Sequence, residues 1–247
     1  MKVRAERRRR RPRVTAALVA VFLALVVAGG AGASLWPLDP DPSVADAAPG
    51  TAAELLASLE VKERAPKTGY ARDEFGSGWL DTDRNGCDTR NDTLARDLRD
   101  VVRSGPCTVV TGTLHDPYTG ERVDFLRGQD TSALVQIDHV VPLSDAWQKG
   151  AQQLDPDRRR AFANDPLNVL AVWGPANAQK SDGDAATWLP KEKSVRCAYV
   201  ARQVSVKAAY GLWVTPAERD AIARVLARCP DEPAVTGAGA PLVVERG

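Results

Sequence analysis

The sequence predicts an α+β fold: a β–β–α unit carrying an extra hairpin, flanking helices and disulfides. Three observations predict it. Short apolar runs at residues 134–138 and 168–173 have strand length and carry polar residues at their ends. Helix-opening signals stand at Thr51, Pro175 and Thr215. Four cysteines follow an N-terminus that reads as an export signal.

Residues 1–13 carry eight basic groups against Glu6, a net of +7, and residues 14–33 carry no charge. Ala31-Gly32-Ala33 then offers a small-residue cleavage site, so residues 1–33 are expected to be a signal peptide. The alternative is a retained anchor in which residues 14–33 sit in the membrane. Either way the basic end stays inside and the body is exported, secreted in the first case and membrane-anchored but extracytoplasmic in the second. Since the whole chain has a formal charge of +1, the part from Ser34 onward sums to −6. That balance counts against a pure nucleic-acid-binding module and is compatible with an enzyme that has a local basic groove.

Residues 34–50, with Pro37, Pro40, Pro42 and Pro49, read as a linker, residues 51–230 as the folded unit and residues 231–247 as a tail. Thr51-Ala52-Ala53-Glu54 opens a helix expected to reach about Lys62. Leu94, Leu98, Val101 and Val102 recur at helical spacing and predict an amphipathic helix over 89–103. Residues 107–114 and 121–126 read as hairpin strands around the turn Asp116-Pro117-Tyr118-Thr119-Gly120. Two short helices broken near Pro156 follow the strand at 134–138. Pro175 then starts a helix after the strand at 168–173, and helices are expected over 191–209 and 216–228. Of the three possible cysteine pairings, the local one, Cys87–Cys107 with Cys197–Cys229, is preferred.

The chemistry concentrates in the β–β–α unit. Asp138 offers an oxygen ligand for a hard divalent cation, as does the Asn177 carbonyl. His139 is a candidate general base near neutral pH, and the Asn168 amide is placed to brace the loop that carries it. This is the inventory of a one-metal nuclease site.

Asp138-His139-Val140-Val141-Pro142-Leu143, Asn168-Val169-Leu170-Ala171-Val172 and Asn177-x-x-Lys180-Ser181-Asp182 resemble the His-Asn-His (HNH) endonucleases with their ββα-metal fold. The stretch from Tyr70 to Leu189 is more closely similar to exported actinobacterial HNH proteins related to the C-terminal part of GmrSD restriction enzymes, with support from Gly78-Trp79-Leu80-Asp81 and Asp184-Ala185-Ala186-Thr187-Trp188. The resemblance implies Asp138 and Asn177 as ligands of Mg2+ or Mn2+, His139 as base and Asn168 as the central asparagine. Substrate contacts are expected from Lys180 and Arg90, with DNA as the substrate. No histidine follows Asn168, which excludes ligation by two histidines.

Asp81, Asp83, Asn85 and Asp92 match the oxygen spacing of a calcium loop and leave a structural Ca2+ open. Arg158, Arg159 and Arg160 form a candidate basic patch, and His115 reads as a loop histidine. The competing reading from another class is an extracellular binding module that keeps the scaffold without the catalysis.

Overall fold

A computed structural model describes residues 50–235. The expected signal or anchor (1–33), the expected linker apart from Gly50, and the tail from residue 236 onward lie outside the described residues.

Helix α1 (Ala52–Ser58) is capped by Thr51, whose hydroxyl accepts from the Glu54 amide at 3.2 Å, while the Glu54 carboxylate returns to the Gly50 amide at 2.5 Å. It ends before Lys62 because the chain turns extended at Leu59, and the Lys62 amide then donates to the Val214 carbonyl at 3.0 Å.

The helix expected over 89–103 is instead two elements. Helix α2 (Thr89–Asp97), capped by Asp88, gives way to strand β1 (Leu98–Ser104). Strand β1 pairs antiparallel with β2 (Thr108–His115), and β2 pairs with β3 (Arg122–Leu126), giving the sheet order β1-β2-β3. A bulge between Arg99 and Val102, with Asp100 at φ 52°, shifts the phase of β1 and conceals its alternation. The β2–β3 turn is held by Asp116, whose Oδ2 accepts from the Thr119 amide and hydroxyl at 2.9 and 2.6 Å.

Strands β4 (Val135–His139) and β5 (Val169–Trp173) form a separate antiparallel pair, with Asp138 opposite Leu170 and His139 opposite Val169. Between them lie α3 (Leu143–Trp147), a short 3-10 turn and α4 (Pro156–Asn164). Pro156 occupies the first turn of α4, where its missing N–H costs nothing, and the break falls before it. Helix α5 (Gly174–Lys180) follows β5 without a loop. Glycine is needed there, since a Cβ on Gly174 would lie 2.4 Å from the Ala133 carbonyl oxygen. Helices α6 (Arg196–Tyr210) and α7 (Pro216–Leu226) are the last helices among the described residues, the latter behind a reciprocal Thr215–Glu218 capping box.

Strand β5 is buried on both faces. Leu170 and Val172 join α1, α6 and α7 in one apolar cluster, whereas Val169 and Ala171 join α2 and the three-stranded sheet in another. A third cluster packs Phe75, Trp147 and Phe162, with ring centroids 5.8–6.3 Å apart. The disulfides are Cys87–Cys107 and Cys197–Cys229, the preferred pairing.

Two further features tie the molecule together. Lys149 is fully buried and contacts Asp145, Asp184 and Glu218 at 2.8, 2.7 and 2.6 Å. Arg64 shares Asp145 and Asp184 at 2.7 and 2.6 Å, and Lys207 shares Glu218 at 3.0 Å, so three cations balance three carboxylates. The two ends of the described chain also meet: the Ala52 amide donates to the Glu232 carbonyl at 2.8 Å and the Ala234 amide to the Gly50 carbonyl at 3.0 Å. No helix among the described residues is long and apolar enough to cross a membrane.

Candidate active site

Strand β4 delivers Asp138 and His139 to the rim of a polar cavity of ≈ 200 Å³, which Asn177, Ser181, Asp182 and Arg72 also line. Asp138 and Gln136 share a face of β4 by the strand's two-residue period, and α5 lies against that face: the Asn177 Nδ2 donates to Gln136 Oε1 at 2.9 Å. This bond orients the amide and leaves its Oδ1 to face another partner.

Asp138 is itself well held. Its Oδ2 accepts from the Tyr118 hydroxyl at 2.5 Å and lies 2.9 Å from the Lys180 ammonium, while Oδ1 lies 3.2 Å from the same ammonium. Burial, and then the charge of Asp138, push the Tyr118 phenol well above its ordinary pKa, so Tyr118 keeps its proton and donates. Lys180 is fully buried and also donates to the His139 carbonyl at 2.9 Å. It is an internal counter-ion of Asp138, not the exposed phosphate contact expected of it.

His139 stacks on Trp79 with ring centroids 5.6 Å apart, and its Nε2 lies 2.9 Å from the Ala163 carbonyl. A carbonyl only accepts, so Nε2 carries the hydrogen and Nδ1 is the nitrogen able to take a proton. Burial is the main reason the imidazole pKa falls from 6.5 to about 4, outweighing the Ala163 bond and the Asp138 charge, which raise it. The ring is therefore neutral at physiological pH. A second cavity of ≈ 150 Å³ opens between His139, Trp79 and Arg72.

Asn168 is completely buried and works as a clasp. Its Oδ1 accepts from the Val141 amide at 2.9 Å, its Nδ2 donates to the Phe162 carbonyl at 3.2 Å, and its own carbonyl accepts from the Val140 amide at 2.7 Å. The loop after His139 is thus tied to the end of α4, where Ala163 meets the His139 ring.

Arg90 is not brought to this site. Its guanidinium rests on the Ser132 and Val135 carbonyls at 3.5 and 3.3 Å, at the opposite end of β4 from His139, about 13 Å of strand away. Burial and the neighbouring Arg127 hold its pKa below the usual arginine value. Arg72 instead borders both cavities, is exposed, and makes no ion pair among the described residues. Sequence reasoning missed it, because an arginine beside Asp73 and Glu74 looks like an ordinary surface pair. The arginines at 158–160 form no patch: Arg159 pairs with Glu74, Arg160 with Asp157, and Arg158 lies over the Tyr210 ring.

The donor set fits a hard divalent ion. Asp138 and Asn177 line one polar cavity, and Asp138 Oδ1, engaged only by Lys180, retains a lone pair for a cation. The calcium spacing at 81–92 brings Asp83, Asn85 and Asp92 to the lining of one cavity of ≈ 200 Å³, but no three carboxylates of the loop come within reach of one ion. Among the described residues the sole group of three or more His, Cys, Asp or Glu donors within reach of one ion is Cys197, Cys229 and Glu232, and those sulfurs form a disulfide. Asp81 and Asp83 bond instead to backbone amides of their own loop at 2.9–3.2 Å, and Asp88 caps α2.

Residues 88–225 match the family model described as GmrSD restriction endonucleases, C-terminal domain. A protein of Arthroderma benhamiae described as an uncharacterized secreted protein is 36% identical over 210 residues, which span 84% of this chain and 98% of the relative. No solved structure matches.

Proposed function

Because the chain belongs to the family of GmrSD restriction endonuclease C-terminal domains, we propose that it is an exported, metal-dependent HNH endonuclease that hydrolyses phosphodiester bonds of DNA with little sequence specificity. The observation that carries the reading is the convergence of Asp138, His139 and Asn177 on one polar cavity, with His139 Nδ1 free to accept a proton. Export, with residues 1–33 as leader, is supported by the two disulfides and by the description of the relative as secreted. Export also argues for a broad substrate range, since a restriction role requires DNA of the cytoplasm.

In this reading His139 takes a proton from the water that attacks phosphorus, and the bond to the leaving oxygen breaks. Asn168 and the Ala163 carbonyl hold the ring in the required orientation and tautomer, and Arg72 meets the phosphate at the cavity rim. Asp138 and Asn177 would hold Mg2+ or Mn2+, which when bound would supply charge stabilisation at the phosphate and the leaving oxygen. The decisive experiment is plasmid cleavage by the oxidised protein, wild type beside His139→Ala, with magnesium, manganese, calcium or chelator. Metal-dependent cutting is expected to fall by at least about 100-fold in the variant. A folded wild type that cuts with no metal sinks the reading.

One observation favours a second reading, a binding module without catalysis: both carboxylate oxygens of Asp138 already contact Lys180, and one also accepts from Tyr118. Calorimetric titration of Mn2+ separates the two, because an idle module has no need to bind the ion.

A further inference from the structure

The largest of the described cavities, ≈ 400 Å³, lies outside the candidate active site. It is an open groove between the loop that follows α5 and the helix pair α6–α7. Its floor is apolar, formed by Leu189, Ala221 and Val225, and four cations stand on its walls: Lys193, Arg196, Arg224 and Arg228. No carboxylate lines it. None of the four cations forms an ion pair among the described residues; Arg196 spends one N–H on the Pro190 carbonyl at 2.7 Å. Four unpaired cations in one groove are conspicuous in a body whose net charge is −6 from Ser34 onward. Glu232 sits beside the Cys197–Cys229 disulfide, and burial raises its pKa.

The groove adjoins the catalytic cavity through the chain itself. Asp182 lines one and Ala185 the other, so their Cα atoms lie no more than about 11 Å apart. That distance corresponds to about three nucleotides along one strand of a duplex. Asp182 does not block the way, because Lys67 pairs with it at 3.3 Å. We propose that this groove binds the nucleic-acid backbone flanking the cleaved bond: phosphates meet Lys193, Arg196, Arg224 and Arg228, and the sugar edge covers the apolar floor. The inference rests on the nuclease reading and adds a substrate path to it.

The test uses the full, disulfide-bonded chain and the double variant Arg224→Glu/Arg228→Glu. Both residues are exposed, so the fold should survive, and Arg224→Gln/Arg228→Gln serves as a milder second variant. Binding of a fluorescent 30-nucleotide DNA, single-stranded or duplex, is measured in chelator against salt, and cleavage of the same DNA is compared with cleavage of bis(p-nitrophenyl) phosphate. For the double variant we expect the slope of log affinity against log salt to fall by about 1.5–2, the share of two phosphate contacts. The ratio of kcat/KM on DNA to kcat/KM on the small diester should fall at least tenfold, through KM. An unchanged slope and ratio overturns the groove assignment while leaving the nuclease standing. Wild type that binds DNA with the expected slope yet cleaves neither substrate overturns the nuclease reading alone. A double variant that keeps its DNA affinity but stops sedimenting with phosphatidylglycerol vesicles reassigns the groove to a membrane surface.

Discussion

Lys180 gives the carboxylate at the end of β4 a resident partner, and the effect of removing it depends on what else is bound. In Lys180→Met, Asp138 becomes a buried charge without a counter-ion, which costs about 3–5 kcal/mol in the absence of metal. Mg2+ or Mn2+ should restore much of that loss, so the metal-dependent rise in Tm is expected to be larger in the variant than in wild type. Equal rises, measured by thermal unfolding with metal and with chelator, would mean that no cation sits on Asp138. Asp138, His139, Asn168 and Asn177 were legible in the sequence because each stands at a recognisable point of a short motif. Lys180 was legible as part of that motif but not in its role. Helical spacing carries it from Asn177 to the next turn, and only packing shows that the turn is buried. Tyr118 was readable as part of a turn, while its hydroxyl bond to Asp138 depends on how the β2–β3 hairpin docks.

Elements were readable where pattern and pairing agree, as in β4, β5, α5 and the capped helices. The segment after Asp97 failed that test. Leu94, Leu98, Val101 and Val102 keep helical spacing, yet Leu98 pairs with Leu114 of β2 and the bulge at Asp100 spoils the two-residue alternation that would have revealed a strand. Pairing with β2 overrides the local spacing, and the partner is distant in sequence. Similarly, the cations of the groove come from two helices and the segments that flank them, whereas each of the three consecutive arginines at 158–160 is engaged by its own partner, Tyr210, Glu74 or Asp157. The position of α5 rests on Gly174. In Gly174→Ala the new Cβ would collide with the Ala133 carbonyl, so α5 must shift and carry Asn177 and Lys180 with it. We expect a loss of about 1–3 kcal/mol in stability and a larger proportional loss of cleavage than of DNA binding. Cleavage unaffected by the substitution would show that the site tolerates movement of α5.

At the scale of the molecule, the buried charges set the pH range of stability. Burial raises the Asp184 pKa, but Lys149 and Arg64 lower it further, to a net value below 3.8; its contribution is present above that pH and is lost as pH falls through the depressed value. Burial lowers the Lys149 pKa, but Asp145, Glu218 and Asp184 raise it to a net value above 10.5; its contribution is full below 10.5 and is lost as pH rises through the raised value. His139 adds an acid-side loss of its own, because the unfolded ring takes up a proton near 6.5 and the folded one only near 4, so stability declines between those values. Tm measured by circular dichroism is expected to be flat from about pH 7 to about pH 10 and to fall on both sides, beginning near 6.5 on the acid side. A Tm unchanged from pH 7 to pH 4 would contradict a buried neutral His139.

The pairing of residues 50–52 with residues 232–234 makes the described domain topologically a ring with one cut. A ring can be cut elsewhere: joining residue 235 to residue 50 through a short glycine linker and opening the exposed turn between Gln129 and Asp130 should give a permuted protein that still unfolds in one cooperative step. Loss of that cooperativity would show that the order of synthesis matters to the fold. The same closure makes the domain portable. It can sit at the C-terminal end of a larger enzyme, the place for which its family is named, or behind a leader as proposed for this chain, and neither arrangement stretches the fold.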